Sequence, residues 1–294
     1  MTGLLLVDKP EAVTSAGVIR TLKRLVGHEK VGHLGTLDPF ASGLLPLCLG
    51  EATKIARWLL LEEKAYRGVI RLGTETDTLD RTGTPTRSAP VPPLDAARLA
   101  DVAARFTGAQ EQVPPMFSAL KRGGVPLYAL ARRGIEVERA ARAIEIRALS
   151  LEVRAPDAIG FALTCSKGTY VRVLAQDIGR VLGTAAHLEA LRRTAVGRFQ
   201  VADAHTPDAL LARPDAPLPL VPIRDALGHL PAFVLDAERV ARVRLGQQVA
   251  LAGLPPPDAP AAAALALDTD GRVVALLEPA DASRWRIARL LAPH

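Results

Sequence analysis

The segment that most restricts how this chain can fold is a polar, glycine-rich stretch at residues 31–43, which lies between two apolar runs. The runs, residues 4–7 and 44–49, can bury themselves, and the first is interpreted as a buried strand because it is short and continuous. Pro39 disfavours α geometry at Asp38 and fixes its own φ, so this acid is held on a stiff backbone. A polar loop between buried segments commonly carries function, although Asp-Pro turns without function are also frequent.

Hydrophobic periodicity predicts short helices and short strands along the rest of the chain. Helices are predicted at residues 14–27, capped by Thr14 or Ser15, and at 52–61, 94–106, 169–182 and 184–193. Strands are predicted at residues 64–73, 144–153, 161–165 and 197–201. Because strands outnumber the short helices and few β-α-β units are evident, the pattern favours an α+β fold over a doubly wound parallel sheet.

Charge and proline content divide the chain into parts. Residues 109–147 are interpreted as an inserted arm, because they begin with a segment that two prolines interrupt and continue with a basic stretch. Seven Lys or Arg side chains stand against three Glu side chains in residues 121–147, which gives +4 of the net +6 of the whole chain. We predict a main domain at residues 1–230, closed by a proline-rich linker or cover at 206–230, and a compact unit at 231–294 with strands at 243–247 and 271–277.

Composition and cysteine usage argue against several classes of protein. Lys and Arg number 37 against 31 Asp and Glu, and this basic excess is compatible with a polyanionic partner without requiring one. Neither Cys48 nor Cys165 stands in a C-x-x-C pair, so we expect two buried, reduced thiols in a cytoplasmic protein, with no zinc site and no disulfide framework. No run of about 18 apolar residues occurs, so no membrane span is expected. The sequence also contains no P-loop and no G-x-G-x-x-G motif.

A series of collinear motifs points to a known family. The motifs are LLLVDKP (4–10), GHLGTLDP (32–39), LGEATK (49–54), KAYR (64–67), TDT (76–78), PMFSALK (115–121), CSKGTYVR (165–172) and GTAAHLEALRR (183–193). Together they resemble the TruB family of bacterial tRNA pseudouridine synthases over residues 3 to about 200. The resemblance implies a mixed, mostly antiparallel catalytic sheet with an RNA-binding insertion and a small C-terminal β domain similar to the PUA type. It also implies isomerisation of uridine 55 in the TΨC loop of tRNA, with no cofactor and no metal.

The resemblance assigns roles to individual residues. It implies that Asp38 is the nucleophile and that Arg172 pairs with it, since a guanidinium can orient a carboxylate while staying charged. Tyr66 would stack on the uracil and take the C5 proton, and Tyr170 and Leu191 would line the pocket. We interpret His33 as a wedge that enters the RNA loop where the base has left, rather than as a general base.

A set of basic residues is expected to face phosphates of the tRNA T arm and loop. These residues are Lys9, Lys54, Lys64, Lys121, Lys167, Arg192 and Arg193. The roles of Asp77 and Asp80 stay open between hydrogen bonding within their own turn and assistance to His33 or a nearby arginine. We expect the protein to act as a monomer.

Other functions are compatible with parts of this pattern. A glycoside hydrolase usually needs two carboxylates, and only one acid lies in the central loop. A non-catalytic tRNA-binding or tRNA-folding protein would need the same basic segments. A synthase that acts on a different RNA with partner proteins is a third possibility, which the absence of long basic tails disfavours.

Overall fold

The computed structural model of the chain describes residues 1–60, 62–257 and 263–292. The strands are β1 Gly3–Lys9, β2 Val31–His33, β3 Ser42–Leu49, β4 Lys64–Leu72, β5 Thr74–Thr76, β6 Pro85–Ser88, β7 Gly108–Gln112, β8 Lys121–Arg122, β9 Val125–Pro126, β10 Arg142–Ala155, β11 Ala158–Cys165, β12 Ala186–Val196, β13 Phe199–Gln200, β14 Leu220–Val221, β15 Ala232–Val234, β16 Ala264–Leu267, β17 Val273–Pro279 and β18 Trp285–Leu290.

The helices are short. They are α1 Ser15–Thr21, α2 Lys23–Val26, α3 Ala56–Leu59, α4 Ala96–Phe106, α5 Leu127–Ala131, α6 Val171–Val181, α7 Pro207–Leu211, α8 Ile223–Ala226 and α9 Ala237–Arg244, with 3-10 turns at Gly50–Ile55, Val201–Asp203 and Gln248–Leu251. The first helix begins where the sequence predicts, because the Thr14 hydroxyl accepts a hydrogen bond from the Gly17 amide at 2.9 Å. Within the described residues, no helix is long and apolar enough to cross a membrane.

One mixed sheet organises the main part of the molecule. Its strands follow the order β14-β1-β3-β12-β4-β11-β10-β7, with β13 added to β12 and β2 added to β3. Neighbouring strands run antiparallel except β3 and β12, whose parallel register pairs Arg192 with Ser42 and Arg193 with Gly43. Gly43 allows this close approach, because a Cβ atom there would lie 2.2 Å from the Arg193 carbonyl oxygen. The sheet therefore confirms the predicted α+β class.

Two of the hydrophobic clusters on this sheet hold α4, α6 and the C-terminal unit in place. In the first, α4 and α6 pack on the central strands through buried side chains such as Leu99, Leu174 and Ile178. The second cluster joins Leu4 of β1 to Leu265 and Leu276 of a smaller, four-stranded sheet with the order β15-β16-β17-β18. Because the two sheets share a core, the C-terminal unit is packed against the main sheet rather than tethered to it.

Several sequence predictions about local structure are wrong. Residues 186–196 form the central strand β12 and not a helix, because pairing with β3 and β4 overrides the helix propensity of Ala, Leu, Glu and Arg. Residues 237–244 form α9 where a strand was expected at 243–247: the Asp236 carboxylate caps the Arg239 amide, and Val240 and Val243 are buried one turn apart.

The insertion is shorter than predicted. β7 and β10 pair with each other at the edge of the main sheet, so residues 109–112 and 142–147 belong to that sheet. Only residues 113–141, called the arm below, leave it, and they contain the β8–β9 hairpin and α5. The proline-rich residues 206–230 are also more ordered than a linker, since β14 pairs with β1 and Leu227 is fully buried.

Candidate active site

The loop that carries Asp38 connects β2 to β3 and is fixed from both sides. The Ser15 hydroxyl donates to the Leu37 carbonyl at 3.2 Å and accepts from the Leu37 amide at 2.9 Å. The Lys9 ammonium donates to the Pro39 carbonyl at 3.4 Å, and Phe40 is buried directly after it. Because the residues on both sides of Asp38 are held in this way, the loop presents the carboxylate in one position. About a third of the Asp38 side chain is exposed.

Arg172, in the first turn of α6, joins four separate groups. Its Nε atom lies 2.8 Å from Asp38 Oδ2, while its Nη1 and Nη2 atoms donate to the Thr78 carbonyl at 2.7 Å and the Phe117 carbonyl at 2.8 Å. Asp80 Oδ2 lies 3.7 Å from Nη1. Only 5% of the Arg172 side chain is exposed. The guanidinium therefore ties Asp38 to the 73–83 turn and to the arm.

Opposing effects act on the pKa of Asp38. Burial raises the pKa of Asp38 above its ordinary value, the Arg172 guanidinium opposes this, and the nearby Asp80 carboxylate adds to the rise. Asp80 itself is held by the Thr82 amide at 2.9 Å and the Thr78 hydroxyl at 3.0 Å. Of the two roles left open for Asp80, it thus fills both: it bonds within its turn and approaches an arginine.

Backbone strain is found beside this network. Leu79, between the carbonyl that binds Arg172 and the Asp80 side chain, has φ of 63°, in the left-handed region that non-glycine residues avoid. Its carbonyl accepts from the Leu188 amide at 3.0 Å, which holds the strained turn against β12. Strain of this kind, about 1–3 kcal/mol, persists where the surrounding structure enforces it, often at functional sites.

A cavity of about 340 Å³ opens in front of Asp38. It is lined by Gly35, Thr36, Leu37, Asp38, Lys64, Tyr66, Ser118, Ala119, Leu120, Gly168, Thr169, Tyr170, Val171, Arg172, Leu191 and Arg193. Five of the six residues expected at the nucleotide site therefore share one cavity, and the arm supplies part of its wall. A cavity of this volume with a few convergent polar groups is typical of a small-ligand site.

Tyr66 stands in the wall of the cavity on β4, and β12 places Arg193 opposite it in the strand register. Burial raises the pKa of Tyr66, and the guanidinium of Arg193, within hydrogen-bonding reach of the phenol, opposes that rise. The phenol is therefore protonated in the free protein and lies next to a cation.

Comparison with known proteins now places the chain. A model of the TruB family pseudouridylate synthase N-terminal domain matches residues 23–171, and a tRNA pseudouridylate synthase B C-terminal domain model matches residues 172–216. The chain belongs to the TruB family. A tRNA pseudouridine synthase B from Aromatoleum aromaticum is 49% identical over 84% of this chain and 81% of its own length. One from Xanthomonas campestris pv. campestris is 45% identical over 92% and 87%.

A solved structure shows the same fold at a lower level of sequence identity. The crystal structure of a Cbf5-Nop10-Gar1 complex contains a chain that is 24% identical, with a TM-score of 0.73, covering 99% of this chain and 85% of its own. The resemblance to the TruB family that the motifs indicated is thus confirmed, and so is the pseudouridine synthase fold. As a member of the family, the chain is an isomerase of the pseudouridine synthase class.

The structure places the seven basic residues expected at phosphates in different surroundings. Lys9, Lys64 and Arg193 are buried, at 0%, 7% and 1% exposure. Each donates to backbone carbonyls, those of Val13, Leu60 and Leu44 among others. They brace the backbone around the site from inside. Burial lowers the pKa of both lysines to about 8, with opposing and reinforcing effects from neighbouring charges.

The other four members of that set lie at the surface but differ in their partners. Arg192 forms a bidentate salt bridge with the Asp8 carboxylate, at 3.0 and 2.7 Å. Lys54 pairs with Glu51 at 2.6 Å and donates to the Leu290 carbonyl at 3.1 Å, so it holds the C-terminal unit. Lys121 and Lys167 are exposed and make no ion pair within the described residues. Lys121 stands on the arm and Lys167 directly before the cavity wall, so these two are the ones free to meet phosphates.

His33 does not line the cavity. It stands at the end of β2, paired in register with Leu47, and its Nδ1 atom is buried without a hydrogen-bond partner in the described part of the chain. Burial and the Arg193 guanidinium lower the pKa of His33. A neutral imidazole beside the cavity is compatible with a wedge.

The roles of some site residues were not predicted from the sequence. Gln112, which is 6% exposed, forms two hydrogen bonds with the Tyr170 backbone, and the Phe117 carbonyl binds Arg172. A backbone carbonyl leaves no signal in a sequence, and Gln112 lay just outside the PMFSALK motif. Cys48 and Cys165 are free and buried, as expected. Among the described residues, no group of His, Cys, Asp and Glu side chains is arranged to hold a metal ion.

Proposed function

We propose that this protein converts uridine 55 in the TΨC loop of tRNA to pseudouridine, with Asp38 as the nucleophile. The observation that supports this most directly is the 2.8 Å pair between Asp38 and Arg172 at the wall of a cavity that also contains Tyr66. The relatives named tRNA pseudouridine synthase B supply the substrate class. Position 55 and the TΨC loop rest on the resemblance of the motifs.

The reaction is an isomerisation, so no co-reactant is needed. The bond between N1 of uracil and C1′ of the ribose breaks, the base turns, and C5 joins C1′. C5 loses its proton, and N1 gains one. An ionised Asp38 carboxylate begins either route: attack on C1′, or removal of the C2′ proton to give a glycal.

Arg172 keeps the Asp38 carboxylate ionised while the substrate excludes water. Burial alone drives a carboxylate toward its protonated form, which is neither a nucleophile nor a base. The guanidinium remains charged and holds one carboxylate oxygen at 2.8 Å, which leaves the other oxygen for the substrate. Its own position is fixed by the two carbonyls of Thr78 and Phe117.

Tyr66 acts on the base. Its ring forms a flat wall on which uracil stacks, a contact worth about 1–3 kcal/mol. Its hydroxyl gives its proton to N1, and the phenolate that results, which the Arg193 guanidinium stabilises, takes the C5 proton after C5 has joined C1′, so the phenol is regenerated. Tyr170 and Leu191 complete an apolar pocket around the base.

Contacts outside the cavity hold the tRNA. Lys121 and Lys167 bind phosphates, the arm follows the T arm of the tRNA, and His33 fills the space left by the flipped base. Phosphate contacts carry little sequence information, so the choice of uridine depends on the shape of the RNA loop and on the pocket.

The test is an assay of pseudouridine in unmodified tRNA, followed by release of tritium from C5 of labelled uridine. D38N keeps the shape of the side chain and removes the charge; we expect loss of product with tRNA binding retained. D101N, an exposed acid on α4, is the matched control and should behave as wild type. Full activity of D38N would refute the role of Asp38. Release of free uracil by the wild type would indicate a hydrolase.

A further inference from the structure

Two cavity residues lie at the start of α6, Tyr170 directly before the helix and Arg172 in its first turn, yet Tyr170 provides no side-chain cap. Tyr170 is the residue before the helix, with φ of −97° and ψ of 103°, and its carbonyl accepts the helical bonds from Val173 and Leu174. A helix start of this kind leaves the orientation of its first residues to whatever binds the backbone there.

That partner is the carboxamide of Gln112, the last residue of β7. Its Oε1 atom accepts from the Tyr170 amide at 2.7 Å, and its Nε2 atom donates to the Tyr170 carbonyl at 3.1 Å. The side chain thus pairs with one residue in both directions, as a neighbouring strand would. At 6% exposure it meets little competition from water.

The same region of the chain makes a second attachment five residues later, where the Phe117 carbonyl accepts from Arg172. The arm begins between these two attachments, at residue 113. The chain is therefore bonded on both sides of the arm's first residue, by Gln112 to the backbone of Tyr170 and by Phe117 to the guanidinium that holds Asp38. A change in the position of Gln112 would move both at once.

We propose that Gln112 is a positioning residue for the reaction: its two-way hydrogen-bonded pair with the Tyr170 backbone holds Tyr170 and Arg172 in the geometry that the chemical step needs. This inference rests on the proposed function. Gln112 touches neither the cavity nor Asp38, so it acts only through α6. A misplacement of about 1 Å in such a group can lower a rate by about 100-fold.

The decisive variant is Q112E. An ionised carboxylate can accept from the Tyr170 amide but repels the Tyr170 carbonyl, whereas a protonated carboxyl group reproduces the donor and the acceptor of the amide. The carboxyl is ionised at neutral pH, and burial raises its pKa toward the range in which lowering the pH protonates it during the assay. We therefore expect the single-turnover rate of Q112E to be low at neutral pH and to recover relative to wild type as the pH is lowered.

The control is Q110E, which adds the same charge two residues earlier on β7, where the side chain donates to the Phe106 carbonyl instead of Tyr170. Q110E should show no recovery at low pH. Q112A, which has neither donor nor acceptor, should be slower than wild type by about 10- to 100-fold at every pH, with tRNA affinity unchanged. Recovery of Q112E without any in Q112A cannot arise from general destabilisation.

Wild-type rates in Q112A and Q112E at all pH values would overturn the inference, and so would loss of activity in Q112E without recovery at low pH. A wild-type protein that forms no pseudouridine would instead contradict the proposed function. In that case hydrogen exchange still decides the positioning claim: the peptide amides of residues 170–174 should exchange faster in Q112A than in wild type and in Q110E. Equal exchange would refute it.

Discussion

The loop of Asp38 and the arm differ in how they hold their charges, although both are rich in polar residues. Around Asp38, cations are buried and donate to backbone carbonyls, as in Lys9, Lys64 and Arg193. On the arm, Lys121 and Arg122 are exposed, as are the apolar side chains of Val125 and Tyr128. The first region is built to keep a fixed geometry, and the second presents its charges to solvent.

The difference shows that basic residues in one chain can have opposite purposes. A buried guanidinium among carbonyls fixes the backbone, because leaving those carbonyls unpaired would cost about 1–3 kcal/mol each. An exposed lysine adds almost nothing to folding and is free to replace counterions around RNA. Substitutions in the two regions should therefore separate catalysis, stability and affinity.

The largest effect is expected from R172Q. Loss of the guanidinium removes the partner of Asp38 and leaves the Thr78 and Phe117 carbonyls without their donor. Burial then raises the pKa of Asp38 with no guanidinium to oppose it, so we expect the rate at neutral pH to fall by at least about 1,000-fold. Single-turnover rates measured against pH check this, with R180Q at the exposed end of α6 as the control. A loss below about tenfold would show that Arg172 does not orient the nucleophile.

Two adjacent arginines offer a matched pair for stability. Arg193 is buried and donates to the Leu44 carbonyl at 2.7 Å and the Gly35 carbonyl at 3.1 Å, while Arg192 pairs with Asp8 near solvent. R193M should lower the free energy of unfolding by about 2–3 kcal/mol, and R192M by less than about 1 kcal/mol. Urea denaturation measures both. Equal losses would contradict the distinction between buried and exposed basic residues.

The sequence predicted the meeting of Asp38, Arg172 and Tyr66, although they lie far apart in the chain, because the family motifs carry them. It did not predict the burial of Lys9, Lys64 and Arg193, since Lys and Arg are rarely buried and their carbonyl partners leave no pattern. The α+β class followed from the strand periodicity.

The sequence-based prediction of local structure failed where tertiary contacts determine that structure. Residues 186–196 have the composition of a helix and become a strand because β3 and β4 flank them. The predicted boundary of the arm is wrong for a similar reason. Arg142 and Arg147 lie in β10, so the basic segment of the sequence extends beyond the loop into the sheet.

The buried lysines also predict how stability depends on pH. The pKa values of Lys9 and Lys64 are about 8 in the folded protein and near 10.5 when unfolded. Above pH 8 the unfolded chain therefore holds more protons, so the free energy of unfolding rises with pH. Above about pH 9 the buried thiols, whose pKa values are raised to about 12 for Cys48 and about 11 for Cys165, act in the opposite direction.

The rise should be steepest between pH 8 and pH 9, where it amounts to about 1–2 kcal/mol, and should level off at higher pH. Denaturation with urea across this interval measures it. K64M should show about half of the rise, while K54M, which removes a lysine at the surface, should keep all of it. A flat profile in the wild type would mean that the lysines do not lose their protons within the fold at this pH.

The smallest effect is expected on the arm, and it should appear in affinity alone. Lys121 is exposed and makes no ion pair within the described residues, whereas Arg147, on β10, is held by Glu63 at 2.7 Å and Glu145 at 2.5 Å. If Lys121 replaces a counterion on the RNA, K121A should weaken tRNA binding a few-fold and reduce the slope of log K against log salt by about 1. R147A should leave the slope unchanged, because that guanidinium already has its counterions. A salt dependence of K121A equal to that of wild type would place the phosphate contacts elsewhere. A slower single-turnover rate at saturating tRNA would show that the arm takes part in the chemical step as well as in binding.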